Sequence, residues 1–235
     1  MVNAMAVQLT QRDRSILDHV KRYRITTNEA LLTRFFQPDG LNALKTVRKR
    51  LVGPYLQSRP LGIARRHYYQ LTPATARMVG EPEEVAAPLG MQALPRAFAV
   101  LAFCCLSGRP HERLHRDELR EEYPEIAAAS FAAHADFCID EWAGRARLAR
   151  IIVDYGGEYP ALIRKCRAFL HTARQNIAGF ADMLHQDAFA IAIITAEETK
   201  KQSIISALAR HPLEVNVRVS VLPELTILLN PRVET

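Results

Sequence analysis

Residues 111–115 read HERLH, which is the spacing of the HExxH motif of zinc peptidases. On an α-helix, histidines four residues apart lie on one face and can bind zinc, while the glutamate between them acts on the metal-bound water. Pro110 directly precedes the stretch, and Arg113 and Arg116 would place positive charge beside the metal. No apolar helix flanks the motif to bury it. We therefore expect a chance match and no bound metal.

A second set of candidate catalytic residues consists of Asp136, Asp154 and Lys165, with Glu158 nearby. An acid on each of two strands, followed by a basic residue on a helix, resembles restriction-endonuclease-like folds, in which two carboxylates hold a metal and a lysine assists the attacking water. Their second strand usually carries an acid, any residue and a lysine, whereas residues 152–156 read IVDYG. We therefore expect a degenerate, inactive site. An active metal-dependent nuclease is the alternative.

The cysteines and glycines add no cofactor site. Cys104 and Cys105 are adjacent, and Cys138 and Cys166 stand alone, so the chain has no CxxC pair and no zinc spacing. It also has no phosphate-binding P-loop and no GxGxxG motif. We expect reduced, buried cysteines and no cofactor.

Positive charge is concentrated in the first third of the chain. Residues 1–80 contain 14 Lys and Arg but only 4 Asp and Glu, a net charge of +10, whereas the whole chain of 235 residues carries +6. The remainder is therefore mildly acidic, at −4. A basic module joined to an acidic remainder predicts binding to a polyanion such as nucleic acid. A merely solvated basic surface is the alternative.

The most informative basic segment is residues 41–53, LNALKTVRKRLVG. Wound as an α-helix, it gathers Leu44, Val47 and Leu51 on one side, and Gly53 is typical of a helix end. The opposite side carries Asn42, Lys45, Thr46, Lys49 and Arg50, with Arg48 on the apolar margin. These residue types can reach base edges or phosphates, and we assign phosphate contact to Arg50.

The elements that must position this helix are predicted from local signals. Thr10 with Asp13, and Thr26 with Glu29, match the capping-box pattern at the start of two earlier helices. After the third helix, YLQS and RHYYQLT predict two strands flanking the loop RPLGIAR, and a further helix begins at Pro73. Three helices followed by a two-stranded ribbon is the order of a winged helix-turn-helix domain.

In a winged helix the third helix enters the major groove, and the ribbon loop contacts the DNA backbone or the minor groove. The sequence thus predicts double-stranded DNA as the partner of residues 1–80. We expect Arg59, Arg65 and Arg66 to contact DNA from the ribbon loop. A solvated loop is the alternative for these three arginines.

The rest of the chain predicts an α/β domain with a mixed sheet. Residues 81–95 are rich in Gly, Pro and Glu and are assigned as a linker, and residues 96–235 as the second domain. RAFAVLAFCCLSG indicates a buried helix, and HERLHRDELREEYPE an exposed charged segment. Four apolar runs, DFCID, ARLARIIVDY, AFAIAIIT and VNVRVSVL, then alternate with helices at 158–184 and 197–209. The expected fold class is α+β to α/β.

Several segments resemble a known family. LTQRDRSILDHVKRYRITTNEALLTRFF, TVRKRLVGPYLQ and HYYQLTPATARMV are similar to the winged-helix region of the replication-relaxation proteins of plasmids and other mobile elements. AHADFCID and IIVDYGGEYPALIRKCRAFL resemble that family's strand pair and following helix. The resemblance implies a DNA-binding protein of a mobile element.

No stretch approaches the roughly 20 apolar residues of a membrane span, and the N-terminus lacks the apolar core of a signal peptide. We therefore expect a cytoplasmic protein with no membrane partner.

The sequence predicts a non-enzymatic, sequence-preferring DNA-binding regulator of transcription or replication. It should act as a homodimer, since two half-sites multiply the effective affinity. The alternatives are a nuclease or nickase targeted by the winged helix, and a protein-interaction adaptor.

Overall fold

The computed structural model describes residues 8–109, 111–142 and 144–230. The chain forms two compact units, residues 1–90 and 91–235, and the division falls inside the segment assigned as a linker. One unit contains a three-stranded antiparallel sheet, and the other a five-stranded mixed sheet. The prediction of a mixed α and β fold is therefore confirmed. In the described parts of the chain, no helix has both the length and the hydropathy needed to cross a bilayer.

The first unit consists of four helices and a small sheet. Its elements are α1 (Gln11–Tyr23), β1 (Thr26–Thr27), α2 (Asn28–Phe35), α3 (Leu41–Leu51), β2 (Leu56–Pro60), β3 (His67–Leu71) and α4 (Pro73–Met78). The strand order is β1-β3-β2, and both pairings are antiparallel. Helices α1, α2 and α3 contribute one apolar side each to a core shared with β3, which includes Ile16, Leu17, Val20, Leu31, Leu44, Val47, Leu51 and Tyr69.

The two predicted helix starts in this unit have different outcomes. The capping box of Thr10 and Asp13 is confirmed, since the Thr10 hydroxyl accepts from the Asp13 amide at 3.2 Å and the Thr10 amide donates to the Asp13 carboxylate at 2.8 Å. The second prediction is wrong by one residue. Thr27 caps α2, since its hydroxyl accepts from the Ala30 amide at 3.3 Å, whereas the Thr26 hydroxyl lies 3.0 Å from Nε2 of His19.

A turn of 3₁₀ helix at Glu83–Ala86 lies against the three-stranded sheet. Ala86 is buried, and the side-chain amide of Gln57 donates to its carbonyl. The side-chain amide of Gln70 donates to the Ala87 carbonyl at 3.2 Å. This part of the segment assigned as a linker therefore packs as an extension of the first unit.

The second unit is built around the mixed sheet. Its elements are α5 (Ala93–Leu106), β4 (His111–Arg113), α6 (Arg116–Glu122), α7 (Pro124–Ala128), β5 (Asp136–Trp142), β6 (Arg145–Val153), α8 (Tyr159–Asn176), α9 (Phe180–His185), β7 (Phe189–Thr195), α10 (Glu198–Arg210), β8 (Asn216–Val221) and α11 (Glu224–Leu229). The strands follow chain order across the sheet. β4, β5 and β6 are antiparallel, whereas β6, β7 and β8 run parallel.

The core of this unit joins one face of the sheet to the helices that connect its parallel strands. Cys166 and Phe169 of α8 and Ile204 of α10 belong to the same cluster as Phe137 and Ile191 of the sheet. Every residue of β7 is buried, as expected for an interior strand covered on both faces. The four predicted apolar runs thus correspond to β5, β6, β7 and β8.

Two predictions for the second unit are wrong. The helix predicted at residues 158–184 is divided into α8 and α9, because Ile177 is extended, with a φ of −117° and a ψ of 118°, and Gly179 at the start of α9 has a φ of +73°. The segment predicted as exposed and charged contains the edge strand β4, in which His111 is only 4% exposed. The charged residues on both sides of β4 leave no alternation of apolar and polar residues from which the strand could be predicted.

Candidate nucleic-acid interface

Helix α3 is seated on the first unit by its apolar side. Leu44, Val47 and Leu51 are 4%, 7% and 1% exposed and belong to the core that α1 and α2 also form. The helix ends at Leu51, and Gly53 has a φ of +103°, which an L side chain rarely adopts. The predicted helix and its buried side are therefore present, and its other side faces solvent.

The outer side of α3 presents polar and cationic groups to solvent. Asn42, Lys45, Thr46 and Lys49 are all exposed. The helix contains no acidic residue, and within the described ranges neither lysine forms a salt bridge. Lys45 and Lys49 lie one turn apart on the same face, where like charges repel. The charge of this face is therefore uncompensated by the protein.

The two arginines of α3 were also predicted to bind DNA, but their guanidinium groups contact other residues of the protein. The guanidinium of Arg48 donates to the Tyr69 hydroxyl at 3.3 Å and to the side-chain carbonyl of Asn28 at 3.4 Å. Arg50 forms an ion pair with the buried carboxylate of Asp13, with Nη2 and Oδ1 2.5 Å apart. Burial raises the pKa of Asp13, but hydrogen bonds from Arg50 and Thr10 outweigh that effect and hold the pKa below its ordinary value.

The partnership of Asp13 with Arg50 was missed from the sequence. Asp13 was assigned only to the start of α1, and its carboxylate accepts the Thr10 amide as predicted while also pairing with α3. The 37 residues between the partners leave no periodic spacing to connect them.

The loop between β2 and β3 is anchored by apolar residues and displays a basic one. Leu61 and Ile63 are buried, and the Leu61 amide donates to the Arg66 carbonyl at 2.9 Å. Arg65 is exposed and has a φ of +57°. Arg59 donates to the side chain of Gln57 at 3.0 Å, and Arg66 lies 3.6 Å from the Glu29 carboxylate. Arg65 is thus the most outward-facing of the three predicted loop arginines.

The HExxH match does not form the helix that a zinc peptidase uses. His111 lies in β4, stacked on Phe103 with ring centroids 4.4 Å apart, and its Nδ1 is 3.2 Å from Asp140. His115 caps the start of α6. Arg218 approaches Nε2 of His111 at 3.0 Å. Throughout the described ranges, no three His, Cys, Asp or Glu side chains cluster as metal ligands.

The two carboxylates of the nuclease-like set each carry a cation of the protein. Asp136 binds Arg96 at 2.6 Å and Arg113 at 2.7 Å. Burial raises the pKa of Asp136, but the charges of Arg113 and Arg96 outweigh it and hold the pKa below its ordinary value. Asp154 binds the Lys200 ammonium at 2.5 Å and accepts from the Thr195 hydroxyl at 3.1 Å. The acids therefore serve as ion-pair partners here.

The remaining members of this set lie apart from those ion pairs. Lys165 is exposed on α8. Glu158, which directly precedes the first residue of α8, is also exposed. Neither supplies a contact that would organise a metal between the two aspartates. The described residues thus give Lys165 no defined role in chemistry.

Comparisons with known proteins give no assignment: no family model matches the chain, and no curated protein or solved structure is significantly similar to it. The resemblance to replication-relaxation proteins stays a prediction.

Proposed function

We propose that the chain is a sequence-preferring, double-stranded DNA-binding regulator whose first unit is a winged helix-turn-helix. The order α1, β1, α2, α3, β2, β3 and the sheet order β1-β3-β2 support this interpretation. In it, α3 is the recognition helix and the loop at residues 61–66 is the wing. The protein acts without catalysing a reaction, in the control of transcription or replication of a mobile element.

The observation that carries the proposal is the outer face of α3. Lys45 and Lys49 stand exposed and uncompensated on a helix whose other side is fixed in the core. A polyanion relieves the repulsion between them, and the major groove has the width to admit a helix. Asn42 and Thr46 add side chains that hydrogen-bond to base edges. Arg65 contributes a backbone or minor-groove contact from the wing.

The structure favours different roles for Arg48 and Arg50. Each has its guanidinium directed at protein partners, Arg48 at Tyr69 and Arg50 at Asp13. In our proposal these two arginines hold α3 at a fixed angle on the unit. Lys45 and Lys49 then contact the base edges and the phosphates.

A metal-dependent nuclease is less well supported. Divalent metals at nuclease sites need carboxylate oxygens that are open to them. Asp136 is held by two guanidiniums and Asp154 by an ammonium, so metal binding would have to displace protein cations from buried acids. We propose instead that the second unit serves dimerisation or partner binding. A homodimer gives the winged helix a second half-site, which compensates for the few bases one α3 can contact.

The test compares single lysine variants of the full chain on DNA selected from a random pool. Lys49→Ala should weaken binding to all sequences alike and reduce the salt slope by about one unit, because each neutralised phosphate releases roughly one counterion. Lys45→Ala, nearer the start of α3, should cost roughly 1–3 kcal/mol on the selected site and less on random DNA. Fluorescence anisotropy at several salt concentrations measures both.

The matched control is Lys165→Ala, which removes an exposed lysine from α8 of the second unit. It should leave affinity and salt slope unchanged. If Lys45→Ala and Lys49→Ala bind like the wild type while DNA is still retained, α3 is not the reading helix. Arg65 of the wing then becomes the leading candidate.

A further inference from the structure

A second basic surface lies in a cleft of the second unit, whose sequence is acidic on balance. The cleft has a volume of about 400 Å³ and opens between α6 and the alanine-rich segment at residues 127–135. Arg113, at the end of β4, and Arg116 and Arg120, on α6, line one wall. The lining also includes Phe137, which is almost fully buried. The volume falls in the range of about 300–1,000 Å³ that is typical of small-molecule sites.

Among the described residues that line this cleft, three are arginines and none is acidic. Arg113 shares the carboxylate of Asp136 with Arg96, so two guanidiniums neutralise one acid. Arg120 pairs at 3.1 Å with Asp117, but both side chains are about two-thirds exposed, and such pairs contribute little. For Arg116 no salt bridge is present among the residues that the structure describes. The wall therefore carries unneutralised charge.

Two arginines of α6 lie one turn apart. Arg116 is the first residue of the helix and Arg120 follows four residues later, so two like charges lie on one face of a short helix. The helix dipole disfavours a cation at the first position, although Asp117 and Glu118 in the same turn suit it. An anion bound between the two guanidiniums would relieve the repulsion between them.

Arg150 adds positive potential behind the opposite wall. Its guanidinium carbon lies 3.8 Å from the ring centre of Phe169 and 5.4 Å from that of Phe131, which is in the segment that lines the cleft. Burial lowers the pKa of Arg150, although a guanidinium stays protonated in proteins. Arg150 and Phe137 are paired across β6 and β5, so this partly buried charge lies next to Phe137 of the cleft lining.

We propose that this cleft binds a phosphate monoester, with the guanidiniums of Arg116 and Arg120 donating to the phosphate oxygens. Planar guanidinium groups match phosphate with two parallel hydrogen bonds, which an ammonium cannot do. The small alanine side chains that line the cleft leave room for the rest of the ligand. The phosphate belongs either to a free nucleotide or to the 5′ end of a DNA strand. This site is independent of the duplex-binding role proposed for α3.

The experiment is calorimetric titration of the full chain with four probes. These are deoxyadenosine monophosphate, deoxyadenosine, and a short single-stranded oligonucleotide with either a 5′-phosphate or a 5′-hydroxyl. The monophosphate should bind and the nucleoside should not. Arg116→Gln with Arg120→Gln should weaken phosphate binding about tenfold or more, the value of one or two charge-assisted hydrogen bonds. Arg164→Gln with Arg167→Gln, both exposed on α8, is the control and should change nothing.

The source of the phosphate follows from the oligonucleotides. Tighter binding of the 5′-phosphorylated strand than of the mononucleotide assigns the cleft to DNA ends, and equal or weaker binding assigns it to free nucleotides. The proposal is overturned if no phosphorylated probe saturates by about 10 mM. It is also overturned if the nucleoside binds as well as the nucleotide, or if the α8 control weakens binding equally.

Stability separates lost binding from lost folding. Arg116 and Arg120 are exposed, and the repulsion between them opposes the weak surface pair of Arg120 with Asp117, so the melting temperature of this variant should stay within a few degrees of the wild type. Duplex binding by the first unit should be unchanged in it. A cleft variant that folds and binds duplex DNA normally, yet binds the monophosphate as tightly as the wild type, excludes Arg116 and Arg120 as the phosphate ligands and overturns the proposal.

Discussion

Neighbouring basic residues of α3 have different surroundings, although the sequence treats them alike. Lys49 extends into solvent, whereas Arg50, the next residue, reaches the buried carboxylate of Asp13 on α1. A helix rotates by about 100° per residue, so consecutive side chains face different partners. In the proposed function, one residue binds DNA and the other fixes the helix that carries it.

Replacing Arg50 should therefore lower the free energy of unfolding more than replacing Lys49 does. Arg50→Ala leaves the carboxylate of Asp13 buried without its cation, and we expect a loss of roughly 1–3 kcal/mol in the free energy of unfolding. Lys49→Ala, on the exposed face, should change stability by less than about 0.5 kcal/mol. Urea unfolding of both variants measures the difference. Equal free energies of unfolding for Arg50→Ala and Lys49→Ala would show that the ion pair with Asp13 does not stabilise the packing of α3.

The junction of α1 with β1 contains a buried histidine. His19 is 6% exposed, and its Nε2 lies 3.0 Å from the Thr26 hydroxyl. Burial, together with the charges of Arg34 and Arg22, lowers the pKa of His19 to about 3. The folded unit therefore keeps a neutral imidazole, while the unfolded chain takes up a proton below its ordinary value of 6.5. Acidification consequently favours unfolding.

This linkage gives a pH prediction. Between pH 6.5 and about pH 3, where the unfolded chain binds one more proton at His19, stability should fall by roughly 1.4 kcal/mol per pH unit. The measurement is urea unfolding of the wild type and of His19→Gln between pH 7 and pH 5, above the range in which the carboxylates titrate. The variant should lose most of the slope. An unchanged slope would place the titrating group elsewhere.

At the level of elements, the sequence predicts those that have a clear period or cap. The side of α3 with Leu44 and Val47, the start of α1 at Thr10, and the apolar run of β7 all follow from local patterns. β4 was missed, because His111 is held by distant partners, Asp140 and Arg218, that no local pattern reveals. The same reason explains why Arg48 and Arg50 were assigned to DNA: their protein partners lie 20 or more residues away.

For the whole molecule, the absence of catalysis can be tested directly. Purified protein incubated with supercoiled plasmid and Mg²⁺ or Mn²⁺ should leave the plasmid intact, because the carboxylates of Asp136 and Asp154 are held by Arg96, Arg113 and Lys200. Gel electrophoresis detects nicked and linear forms. Nicking that is lost in Asp154→Ala, but retained in Arg164→Ala, which removes an exposed cation of α8 outside the candidate catalytic set, would establish the nuclease alternative.

The interior strand β7 has a consequence for how the protein responds to heat. Its seven residues, FAIAIIT, are all buried and include no charge, proline or glycine. Such a segment matches the composition of sequences that stack into cross-β aggregates once they are exposed. Unfolding of the second unit releases this strand, so chains should associate faster than they refold. Thermal denaturation is then irreversible, and the apparent midpoint depends on the heating rate and on the protein concentration.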